Sequence, residues 1–144
     1  MMSLKKSYWI AGLSLAGFLD SVYLTATHYS GSIKCTLSGC TDVLTSSYAS
    51  FWGIPVALFG AIYYFIILLA ALLYIDRQAK ISILAISILP IFGFIFTLWL
   101  LYLQIFVLKA LCQYCLLSAL ISIILFILSL AIIKKNKSSE SPPL

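Results

Sequence analysis

The sequence predicts an all-α integral membrane protein, a four-helix bundle with one long loop outside the cytosol. Three observations predict it. The 144 residues are 63% hydrophobic and 9% charged, against the ~25% charged content of ordinary soluble domains. Four apolar segments each reach the ~20 residues that a helix needs to cross ~30 Å of hydrocarbon. The cationic residues also divide unevenly between the connections: Lys5, Lys6, Arg77, Lys80, Lys134, Lys135 and Lys137 fall on one side, Lys34 and Lys109 on the other. Connections rich in Lys and Arg stay in the cytosol, so both termini are expected there.

The predicted spans cover residues 8–29, 54–75, 81–108 and 112–133, which leaves room for a single domain over 1–144. Two lysines precede the first span as in a signal peptide, but the apolar run is long for one and Leu24-Thr25-Ala26 is a poor cleavage site, so the span is expected to stay. The polar loop 30–53 follows, and Phe51 and Trp52 near its end suit an interfacial aromatic belt. Gly12 with Ala16, and Ala57 with Ala61, are small residues four apart, a spacing that lets helices approach closely in lipid. The third span would reach about 42 Å if straight, and Pro90 is expected to kink it. The tail, 134–144, is rich in Lys, Ser and Pro and is expected to be a disordered cytosolic segment. With no soluble domain expected at either end, a soluble partner would act in trans. The net charge of +5 is accounted for by the loop asymmetry, and nucleic-acid binding has no separate support.

Four cysteines carry most of the chemical information. Cys35 and Cys40 lie in the long loop, and Cys112-Gln-Tyr-Cys115 opens the fourth span. All four fall on the side assigned to the oxidising compartment. A structural staple is the plainest reading of the loop pair, and four cysteines allow three pairings. Cys-x-x-Cys at a helix start argues for reactivity, because unsatisfied backbone N–H groups and the positive dipole end stabilise a thiolate there. Residues 112 and 115 share a face, with Cys115 about 4.5 Å deeper. Cys112 can then meet the watery loop while Cys115 faces the apolar layer, an arrangement suited to a polar disulfide outside and a membrane-dissolved redox carrier within. Two cysteine pairs could also hold a tetrahedral zinc ion. Apart from Asp42, no His or carboxylate lies close to either pair in sequence, and no metal site is assigned. A non-enzymatic cysteine-based metal carrier remains the alternative from another class.

Taken in order, these residues resemble the vitamin K epoxide reductase family, in particular its small bacterial members, over nearly the whole chain. The resemblance rests on Cys35-Thr-Leu-Ser-Gly-Cys40, Asp42-Val43-Leu44, Ser46, Gly53-Ile54-Pro55, Gly60 and Cys112-Gln-Tyr-Cys115. It implies a bundle around a quinone pocket on the outward side of the cell's inner membrane. In the bacterial disulfide oxidases of the family, electrons leave a thioredoxin-fold oxidant outside the cytosol, cross the loop pair to the membrane pair, and end on quinone. Carried onto this chain, Cys35 meets the partner, Cys40 exchanges with Cys112, and Cys115 attacks the quinone, ubiquinone or menaquinone. Ser46 corresponds to the pocket-side serine or threonine and would help bind it. Vertebrate members carry an asparagine and a tyrosine on the quinone oxygens where this chain has Val56 and Ala119. That departure speaks against vitamin K epoxide reduction, the second enzymatic reading, and leaves plain quinone reduction compatible.

Three polar residues inside spans complete the expectations. Asp20 is costly in lipid unless it faces the bundle or water, so it is a candidate for a proton path or for anchoring helices. His28 is expected at the interface, and Gln104 is expected to bond between helices.

Overall fold

The computed structural model describes residues 4–30, 50–77, 80–107, 109 and 113–140. Helix α1 is Leu4–Ser30, α2 is Val56–Arg77, α3 is Lys80–Tyr102 and α4 is Gln113–Glu140. Within them four segments are long and apolar enough to cross a membrane: Lys5–Thr27, Val56–Arg77, Lys80–Val107 and Gln113–Lys134. Helices are the natural answer here, because lipid supplies no hydrogen bonds and each backbone group must find its partner within the segment. The chain is therefore a multi-pass membrane protein, as expected, with span ends within a few residues of the predicted ones.

α1 packs most extensively on α2, α3 packs on α4, and contacts of α2 with α3 and of α1 with α4 close the ring. The diagonal pairs barely approach each other. The centre is filled by Ile10, Tyr64, Ile67, Ala71, Tyr74, Ile86, Ile121, Leu125 and Ile132.

Three local features depart from expectation. Ile54 and Pro55 do not begin the second span: β1 (Ser50–Phe51) and β2 (Ile54–Pro55) pair antiparallel, with Ser50 opposite Pro55 and Phe51 opposite Ile54. The two residues between them, Trp52 and Gly53, have φ of 53° and 79°, the positive values that a tight two-residue hairpin requires. Trp52 is 89% exposed at this tip, strained for a residue with a side chain. The second departure is at the far end, where α4 continues to Glu140, through most of the tail expected to be disordered. Lysine is a good helix former, and the sequence holds no proline between Pro90 and Pro142 to interrupt the segment.

The third departure is the register of α1. Gly12 and Ala16 are exposed, and no atom lies within 4 Å of a side chain built at Gly12. The buried stripe is instead Ser7, Ile10, Ser14, Gly17, Ser21 and Leu24, a three-and-four alternation that keeps one face toward α2. Close approach occurs at Gly17, where an added Cβ would stand 2.6 Å from the Tyr64 ring. At Gly60 the same addition would meet Ser21 Oγ at 3.1 Å. Ala61, of the other small pair, is buried as its role requires.

Beyond α3 the helix widens into a π-helical turn, Leu103–Val107, carrying the buried Gln104. Lys109 then has φ of 51°, the left-handed conformation in which helices commonly end.

Candidate redox site

Cys115 is the third residue of α4 and is half-buried. It stands in the first helical turn, where backbone N–H groups have no partner within the helix. The same face continues through Ser118, Ser122, Leu125, Ser129 and Ile132, and the last four of these are buried. Cys115 thus heads a stripe that runs down the inside of the bundle. Its neighbour Tyr114 rests against Tyr23 of α1, ring centroids 5.3 Å apart, which ties these two helices at the Cys115 end. Cys35, Cys40, Ser46 and Cys112 lie outside the described residues, as does the side chain of His28. Among the described residues no cluster of His, Cys, Asp and Glu could hold a metal ion.

One turn below Cys115 the interior becomes polar. The Tyr64 hydroxyl of α2 donates to the Ser118 carbonyl at 2.9 Å and stands 3.0 Å from Ser118 Oγ. This contact spans a diagonal of the bundle. The tyrosine can reach across because Gly17 leaves its ring room. Asp20 stands one turn beyond Gly17 on α1, the residue against which the Tyr64 ring packs. Asp20 Oδ2 is buried without a hydrogen-bond partner.

The adjacent Tyr63 extends the cluster. Its hydroxyl abuts Gly93 of α3, where a Cβ would overlap it, and faces Ser122 of α4. Neither Tyr63 OH nor Ser122 Oγ closes a hydrogen bond of good geometry. Two neighbouring tyrosines thus address two serines that lie one turn apart.

Of the sequence-predicted site residues, Cys115 and Asp20 both face the interior in the half of the bundle where α4 begins. Tyr63, Tyr64, Ser118 and Ser122 were not anticipated. A signal was available: Cys115, Ser118 and Ser122 recur at three and four residues, the spacing of a single helix face. Gln104 is buried as a helix-bonding residue would be.

The sequence profile of the vitamin K epoxide reductase family matches residues 8–130. No curated protein matches the chain.

Proposed function

Because the chain belongs to the vitamin K epoxide reductase family, and is by that membership a membrane oxidoreductase of disulfide- and quinone-linked chemistry, we propose that it oxidises a soluble dithiol protein and reduces a lipid quinone. The seven-to-two distribution of Lys and Arg supports an orientation with both termini in the cytosol and the cysteines outside. The partner would be a thioredoxin-fold protein acting in trans, and the membrane the cell's inner one.

The observation that carries the reading is the position of Cys115, half-buried in the first turn of α4 at the head of an inward-facing stripe. A sulfur there is neither open to bulk water nor sealed from it, so it can receive electrons from a polar donor and release them to an apolar acceptor. The residues around this end suit a quinone. Tyr23 and Tyr114 present aromatic rings, and Gln104 is a buried amide at the same end. Val56 and Ala119 are apolar where the vertebrate members hold asparagine and tyrosine, which fits plain quinone rather than an epoxide.

In the relay, the partner's thiolate attacks the Cys35–Cys40 disulfide, its second thiol resolves the mixed disulfide, and the loop pair is left reduced. Cys40 then attacks Cys112 of the Cys112–Cys115 disulfide, and Cys35 completes the exchange. Each exchange forms one S–S bond, breaks another and moves two electrons. The quinone, when bound, supplies a two-electron, two-proton sink. Cys112 and Cys115 re-form their disulfide as those electrons leave, and Ser46 would orient the acceptor.

The test is dithiol oxidation by purified protein in detergent with ubiquinone or menaquinone, followed by quinone absorbance. Wild type should reduce one quinone per disulfide formed, and Cys115→Ser should fall to background. With Cys40→Ala, the lone Cys35 thiolate should attack the disulfide of an oxidised thioredoxin-fold partner, releasing one partner thiol, and this mixed disulfide should accumulate because Cys35 has no neighbouring thiol to resolve it. If wild type oxidises neither a small dithiol nor such a partner at the expense of either quinone, the reading is wrong.

A further inference from the structure

Resting on that reading, we propose that Asp20, Tyr63, Tyr64, Ser118 and Ser122 form a proton-transfer site inside the bundle, with Asp20 holding a proton in transit between the Cys115 end and the acceptor. Oxidation of a dithiol by a quinone is balanced in itself: two S–H bonds break, one S–S bond forms, and two electrons and two protons pass to the quinone oxygens. The electrons move through sulfur. A proton released when a thiol becomes a thiolate needs somewhere to wait until the acceptor has been reduced, and a half-buried sulfur does not stand in bulk water.

The cluster supplies such a place. Counted at 1.5 Å per residue from their own helix ends, Asp20, Tyr64 and Ser118 lie about 15, 12 and 8 Å in. The long tyrosine side chain bridges much of that difference. Tyr64 donates to the Ser118 carbonyl and can accept from Ser118 Oγ. A hydroxyl has one proton and two lone pairs, so Tyr64 retains capacity for one more donor. Ser118 is three residues beyond Cys115 on the same helix face. The chain of hydroxyls therefore leads from beside the sulfur toward the carboxyl.

The second observation concerns atoms left over. Asp20 Oδ2, Tyr63 OH and Ser122 Oγ are all buried with no protein partner, and an unmet polar atom costs about 1–3 kcal/mol. Tyr63 OH and Ser122 Oγ face each other in the interior, Asp20 lies at a similar depth on α1, and the fourth such atom among the described residues, Ser82 Oγ, lies apart at the start of α3; with Ser14 and Ser129 satisfied by their own helices, the first three point to a hydrated site kept for use. An intramembrane carboxyl facing the interior has the chemistry of a proton relay. Of the titratable groups on the helices packed around α1, Tyr64 of α2 is the one placed beside its face by the close approach of Gly17; Tyr63 of α2 is turned toward Gly93 of α3, and Tyr23 of α1 and Tyr114 of α4 pair with each other nearer the Cys115 end. The titratable residues of α3 are Lys80 and Tyr102, at its two ends. Among the described residues Asp20 is the one carboxylate at this level, and Asp76 pairs with Arg77 at the end of α2.

The experiment uses the full chain in detergent. First, infrared difference spectra are recorded between the cysteine-reduced protein and the protein reoxidised by a small thiol oxidant, without quinone. A carboxyl C=O band should change with cysteine redox state, vanish in Asp20→Asn, and shift in Tyr64→Phe. Second, quinone reduction is followed against pH in H2O and D2O. Asp20→Asn should slow it about 100-fold, the loss expected for a positioned proton-transfer group, flatten its pH profile and alter its solvent isotope effect, with Asp20→Glu restoring part of the rate. A difference spectrum without a carboxyl band that depends on Asp20 overturns the proposal, as does an Asp20→Asn variant with wild-type rate and pH profile. If Asp20→Asn does not fold, Tyr64→Phe decides: an unchanged band and isotope effect reject the site. Failure of wild type to reduce quinone rejects the functional reading, while the quinone-free spectra still judge the proton site.

Discussion

The two halves of the bundle are held together by different means. The seam between α1 and α2 closes on small residues, Gly17 against the Tyr64 ring and Gly60 against Ser21, along a buried stripe of α1 that includes Ser7 and Ser14, with one tilted aromatic pair, Phe18 and Phe65, at 5.6 Å beside it. The seam between α3 and α4 is aromatic and aliphatic: Phe94 and Phe126 stack at 4.2 Å with planes 8° apart, beside Ile86, Leu89 and Leu125. In water the second, apolar throughout, would be the one favoured by the hydrophobic effect. In lipid that advantage disappears, since acyl chains solvate Phe as well as another Phe does, and close packing of small residues takes over. The more extensive seam is the one made of serines and glycines. It also carries the carboxyl and the tyrosines beneath Cys115, so the half that packs by closeness is the half that tolerates polar chemistry.

This comparison can be broken hardest at Gly17. Its Cβ would lie 2.6–2.7 Å from three atoms of the Tyr64 ring, and that ring is pinned at its far end by Ser118. Gly17→Val should therefore cost about 3 kcal/mol, the upper part of the range for overpacking. It should also disturb the Tyr64–Ser118 contact, so stability to SDS titration and quinone reduction should fall together. A Gly17→Val protein as stable as wild type would mean that the seam is loose.

Phe94 tests the other half. Phe94→Leu keeps apolarity but loses the stacked pair, which is worth about 1 kcal/mol. Quinone reduction should be little affected, because Phe126, the partner of Phe94, lies about 16 Å along α4 from Cys115. A loss larger than that at Gly17 would reverse the ranking of the two halves.

Much of this was legible in the sequence, and what was not has a physical explanation. Span number and approximate ends follow from apolar length alone, which is why four crossings could be counted without a structure. Which face of a span points inward does not follow from hydropathy, because both faces of a helix in lipid are apolar. Gly12 and Ala16 were therefore as plausible a contact as Gly17. The strict seven-residue recurrence of Ser7, Ser14 and Ser21 was the better guide, since a hydroxyl gains from facing protein. For the site, Cys115 and Asp20 stood out because each is chemically unusual in its span. Tyr64 and Ser118 did not, since a tyrosine in a span reads as packing until a partner across the bundle is found. The hairpin at Ser50–Phe51 and Ile54–Pro55 was hidden by the apolarity of Ile54, which extends the hydropathic segment past the true helix start at Val56.

Ser14 provides the finest test of what a serine contributes to the α1–α2 seam. Its hydroxyl donates to the Ile10 carbonyl of its own helix at 2.7 Å, so it is satisfied locally and holds no neighbour. If serine acts here through its size, Ser14→Ala removes one oxygen, leaves no partner unmet, and should change stability by less than about 0.5 kcal/mol, below the ~0.6 typical of an interhelical hydrogen bond in a membrane protein. Ser14→Val, which adds bulk at a fully buried position, should then cost clearly more, in the same direction as Gly17→Val but smaller, because no ring is pinned against it. SDS titration of the two variants side by side separates size from hydrogen bonding. A loss in Ser14→Ala above about 1 kcal/mol that Ser14→Val only equals would show that the hydroxyl both variants lack matters for a bond across the seam, and that closeness of packing does not explain why this half is the more extensive one.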